Sequence, residues 1–160
     1  MLKKDGFSLI ELMIVIAIIA FLAAVSMPTF SKMMAKSKRT EAYLNLHALY
    51  AAQKAYWAEH GSYTTSLNGP DSAGWSPEGY HGGGADENFY YTYGFAQGGE
   101  GSSYFTGKLQ TSAAFLSGSS ADKTGFVAYA VGDIDGDGKP DILSINQDNV
   151  ITIVQDDLVD

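Results

Sequence analysis

No cysteine occurs among the 160 residues, so disulfide staples, thiolate metal sites and cysteine nucleophiles are excluded. Basic residues are scarce beyond position 54, where only Lys108, Lys123 and Lys139 stand against fifteen acids. Residues 1–54 therefore carry +4 and the remainder −12 of a net charge of −8. An acidic C-terminal part repels polyanions, and no direct nucleic-acid site is evident in it. The histidines His47, His60 and His81 lack metal-ligand spacing, and no nucleophile motif accompanies them, which weighs against catalysis. The length suits one domain with an appendage.

The chain does possess a long hydrophobic run. Leu12 to Val25 is wholly apolar, and its flanks Phe7–Ile10 and Met27–Phe30 extend it to membrane-spanning length, which is about 20 residues. Lys3 and Lys4 precede the run and set its start on the cytoplasmic side, with the acidic part outside the cytoplasm. Ala23-Ala24-Val25-Ser26-Met27 also fits a general secretory cleavage site. Against that reading stands Glu11 near the start of the run. An acid within hydrocarbon costs about 2.5 to 3.5 kcal/mol on insertion scales, so it is a functional residue by default. The bland alternative is an acid resting at the interface.

Met1 to Gly6, followed by Phe7-Ser8-Leu9-Ile10-Glu11-Leu12-Met13-Ile14-Val15, resembles the class III signal of type IV pilins and their pseudopilin relatives. The likeness covers about 50 residues and is far more specific than a short motif. It implies a leader, residues 1–6, cut between Gly6 and Phe7 by a membrane aspartyl prepilin peptidase that also methylates the new N-terminus. Phe7 then carries a cationic amine, which the Glu11 carboxylate of a neighbouring subunit neutralises in the filament core. Such a pair specifies register, because a misaligned subunit leaves a charge buried alone. Glu11 is thereby assigned to assembly.

Residues 7–30 read as the transmembrane and filament-core helix, and residues 31–60 as an amphipathic helix belonging to the head. Pro28 lacks an amide donor and is expected to kink or open the helix. In the family this proline lies where the helix loosens on assembly. The glycine often found several residues earlier is absent here, which implies less loosening. Tyr43, Leu46, Tyr50, Gln53 and Trp57 form a stripe suited to packing beneath a sheet. Lys32, Lys36, Lys38 and Arg39 either contact anionic membrane lipid before assembly or form a solvated face.

Residues 61–160 read as a glycine-rich loop followed by an antiparallel sheet. The loop, 61–86, is dense in Gly, Ser, Pro and Asp, with Trp75 and Tyr80 as its anchors. Strands are expected at Asn88 to Phe95, Ser103 to Leu109, Phe126 to Val131, Asp141 to Asn146 and Val150 to Val154. The whole is α+β, a long N-terminal helix packed on an antiparallel sheet, as in pilins. Aromatic crowding at Phe89, Tyr90, Tyr91, Tyr93 and Phe95 is read as sheet packing rather than electron conduction.

The acidic segment 133–141 carries Asp133, Asp135, Asp137 and Asp141 at alternating positions, with Gly138 to permit a tight turn. These hard oxygen ligands, with the Lys139 carbonyl, suit structural calcium. The segment resembles the first three-quarters of an EF-hand loop, but Ser144 stands where the bidentate acid belongs and the flanks read as strands. A solvated acidic turn is the alternative.

The leading functional expectation is a major pilin. Such a subunit is single-pass in the inner membrane, engages the pilus assembly machinery, and polymerises into a helical homopolymer for adhesion, twitching motility or DNA uptake. A type II secretion pseudopilin is the nearest alternative, although the aspartate-proline-tryptophan-glycine-like segment of those relatives is missing. A minor tip pilin also survives, and a membrane-anchored enzyme is remote.

Overall fold

In the computed structural model, which describes residues 6–159, one helix precedes six strands. The elements are α1 (Leu9–His60), β1 (Thr92–Gly94), β2 (Tyr104–Phe105), the 3-10 turn η1 (Ala113–Leu116), β3 (Ser120–Ala121), β4 (Phe126–Gly132), β5 (Asp141–Asn146) and β6 (Ile151–Gln155). The chain divides after Met34 into two units. Leader residues 1–5, with Lys3 and Lys4, lie outside the described residues.

The first unit is helical from Leu9. Ser8 and Glu11 close a reciprocal cap over its opening turn, because the Glu11 amide donates to Ser8 Oγ at 3.3 Å while Glu11 Oε2 accepts from the Ser8 amide at 2.8 Å. The helix contains an 18-residue stretch of mean hydropathy 2.8, long and apolar enough to cross a bilayer. Its apolar side chains, Ile14, Ile18 and Leu22 among them, are exposed within the chain itself. The helix assignment continues through Pro28.

The second unit buries a helix stripe against a sheet. The stripe comprises Ala35, Arg39, Ala42, Leu46, Leu49 and Gln53, alternating steps of four and three residues. It is rotated from the expected one: Tyr43 and Tyr50 lie at its margin and Trp57 is exposed. The helix ends where Gly61 takes φ 66° and its amide donates to the Trp57 carbonyl at 2.8 Å. Gln53 then holds the returning chain, exchanging side-chain hydrogen bonds with the Thr64 backbone. Nearby, Lys54 Nζ donates to the Tyr63 hydroxyl at 3.0 Å and lies over the Tyr50, Trp57 and Tyr63 rings.

The strands pair antiparallel in the order β2-β1-β4-β5-β6, with β3 beside β4. Side-chain alternation gives the sheet two working faces. Phe126, Ala128, Ala130, Leu143 and Ile145 join Leu46 and Leu49 in the main core. Val131 and Ile142, on the other face, pack with Leu116 of η1. Trp75 from the long loop meets Tyr93 and Phe105 edge-on, with centroids 6.2 and 5.7 Å apart. The crowded aromatics are thus core. The β5 bounds match the expected strand, whereas the first two strands are shorter and β3 and η1 were not expected.

Candidate functional site: a processing segment and an acidic loop

Gly6, Phe7 and Ser8 precede the helix in irregular backbone. All three are exposed, Phe7 at 84%. The Gly6–Phe7 bond therefore lies outside helical hydrogen bonding and open to a protease. Glu11 sits in the first turn of the helix, and both Ser8 bonds to its carboxylate fall on Oε2. Among the described residues no hydrogen bond to Oε1 is present. Pro28 lies farther along α1 and shares no site with them.

The acidic loop begins as β4 ends. Its backbone turns twice through glycine, at Gly136 (φ 88°) and Gly138 (φ 92°), where a side chain would be strained. Asp133 receives the Gly136 amide at 2.7 Å and the Gly138 amide at 3.0 Å, while Asp135 receives the Asp137 amide at 3.1 Å. These bonds fold the carboxylates inward. Oxygens of Asp133, Asp135, Asp137 and Asp157 lie within 4.8 Å of one another.

Asp141 is not the fourth member. It opens β5 with its side chain turned toward α1, where it binds the Arg39 guanidinium and accepts from the Tyr91 hydroxyl at 2.7 Å. Strand alternation directs Asp141 away from the loop, and the chain after β6 delivers Asp157 instead. Lys139 presents its ammonium 3.5 Å from Asp137. Asp157 is buried and accepts the Ile134 amide at 2.9 Å. Burial, joined by the charges of Asp135 and Asp133, pushes its carboxyl up to about 6.

A second cation-carboxylate group joins this corner to the helix. Arg39 binds both Asp141 and Asp156. Burial opposes its charge, but the bonds to Asp156 and Asp141 outweigh that and raise its pKa. Those bonds hold Asp156 below the usual carboxylate range, with the Leu158 amide assisting. Lys38 Nζ donates to the Ile134 carbonyl at 2.7 Å. Lys38 and Arg39 are therefore engaged with the head rather than forming a solvated or lipid-facing pair. The Asp156-Asp157 doublet was the available sequence signal for this corner.

A profile of the prokaryotic N-terminal methylation motif matches residues 1–27. The chain is 51% identical over 76 residues to the type IV major pilin protein PilA of Myxococcus xanthus, covering 48% of this chain and 33% of that protein. A fimbrial protein of Neisseria meningitidis is 41% identical over 63 residues, covering 39% of this chain and 37% of that one. The stem is similar to that of type IV pilins. Fimbrial protein EcpB of Eikenella corrodens adds 43% identity over 65 residues, 41% of this chain and 40% of its own length. The matched stretches span between 33% and 40% of these three relatives' lengths. This pilin-like stem thus carries the methylation motif, a capped helix start and a membrane-length apolar helix.

Proposed function

We propose that the chain is the structural subunit of a type IV pilus, a major pilin rather than an enzyme. Prepilin peptidase cuts it between Gly6 and Phe7 and methylates Phe7. The inner-membrane pilus machinery then draws the stem from the bilayer into a helical homopolymer that emerges at the cell surface, serving adhesion, twitching motility or DNA uptake. One observation carries this reading: an exposed Gly6–Phe7 bond immediately precedes a helix whose first turn holds Glu11. The cluster of stems replaces lipid around side chains that the chain itself leaves uncovered. Mass spectrometry of sheared surface fibres tests it, with an N-terminal methyl-Phe7 expected. Fibres beginning at Met1, or this chain absent from them, defeat the proposal.

We further propose structural calcium at Asp133, Asp135, Asp137 and Asp157. Oxygen-only donors and the gathering of four acids support it, since a hard divalent cation offsets their mutual repulsion. Its part is to tie the end of β4 to the chain after β6. No catalytic role is assigned to it.

A further inference from the structure

The stripe that α1 buries leaves two flanks of the helix uncovered. On one, a groove of about 480 Å³ opens between the helix and the following loop, lined by Glu41, Leu44, Asn45, Glu78, Asn88 and Phe89. Leu44 is 68% exposed there. Glu41 accepts the Tyr90 amide at 2.9 Å and the Tyr93 hydroxyl at 3.1 Å. Burial raises its pKa despite those bonds and the attraction of Lys108. Glu78 is exposed and joins no ion pair among the described residues. The groove thus offers an apolar wall and two carboxylates.

Lys36 occupies the other flank. At about 100° per residue it points about 140° from Glu41 and about 180° from Asn45 around the helix. It is exposed, and among the described residues its ammonium has no acidic partner. We propose that the groove takes the Lys36 side chain of a second copy of this chain. The aliphatic stem lies along Leu44 and Phe89, and the ammonium reaches Glu78 and Glu41. A cation entering there relieves the burial of the Glu41 charge. Because the two flanks differ, each copy gives one and receives one, so the contact is heterologous, the kind from which a helical filament is built. It rests on the filament reading and adds a head-to-head contact to it.

The test uses the full-length chain in a host with a type IV pilus machinery, scored by sheared filament against the membrane pool. Glu78→Lys and Lys36→Glu are each expected to cut filament at least about tenfold, and the double variant to return within about twofold of the starting chain. Both residues are exposed and outside every ion pair among the described residues, so folding is spared. Because the chain has no cysteine, the pair Lys36→Cys and Glu78→Cys in one chain gives a second readout. Mild oxidation of intact filaments should produce a ladder extending beyond dimers. Unchanged filament with Glu78→Lys, a double variant no better than the singles, or no ladder overturns the inference. Loss with Lys36→Glu alone also overturns it, assigning Lys36 to lipid headgroups. If the unaltered chain forms no filament, the filament reading itself has failed.

Discussion

The stem and the head solve the problem of apolar surface in opposite ways. In the stem, residues such as Ile14, Ile18 and Leu22 have no cover within the chain, whereas in the head Leu46, Phe126 and Leu143 are completely enclosed. The stem is finished only by a surrounding of lipid or other stems, and the head is finished by its own sheet. Charge follows the same division. Glu11 of the stem has an acceptor oxygen to spare, while Asp141 of the head is satisfied by Arg39 and Tyr91. A disruption in the stem should therefore appear in assembly, and one in the head should appear in stability.

The largest expected effect breaks that division at the stem. Glu11→Ala should abolish surface filament by electron microscopy while the membrane pool persists. If filament yield is unchanged, Glu11 serves only as a helix cap. In the head, Arg39→Met removes the cation from two acids, one fully buried, and should destabilise the chain by about 3 to 5 kcal/mol. Chemical denaturation of the detergent-solubilised protein, followed by near-ultraviolet circular dichroism, measures this. A loss below about 1 kcal/mol would place the group among ordinary surface pairs.

Calcium sharpens the comparison at a smaller scale. Saturation to about a hundred times its dissociation constant should stabilise the head by about 2.7 kcal/mol. Chelation should lower the melting transition, and Asp137→Asn and Asp157→Asn should each remove the calcium response. A transition indifferent to calcium removes the structural ion. The smallest effect concerns pH. Asp156 sits below its unfolded pKa, so its contribution is present above that value and lost as pH falls through the lower folded one. Stability should therefore drop below about pH 4, and Asp156→Asn should flatten the slope over that range.

The stem was legible because its signals are local: Gly6, Phe7 and Glu11 lie within one short segment, and an apolar run declares a membrane length by itself. The strand β5 was equally legible, from a short alternating run. Arg39 was not, because its partners Asp141 and Asp156 lie 102 and 117 residues away and a basic residue after an apolar run reads as solvent-facing. The acidic loop was found, but its fourth acid was misassigned to Asp141. Spacing along the chain carries no information on which face of β5 receives that side chain. The strand β3 and turn η1 are too short and serine-rich to show a period. Their reason for existing is Leu116 against Val131 and Ile142, a contact between distant segments.

The Ser8–Glu11 cap carries one more consequence. Its bonds use Oε2 of the carboxylate and groups of Ser8, none of which is removed by cutting after Gly6. The start of the helix would therefore be secured alike before and after a cut at that bond. In the proposed filament, Glu11 Oε1 would be left for a neighbour's amine while Oε2 keeps the helix start intact.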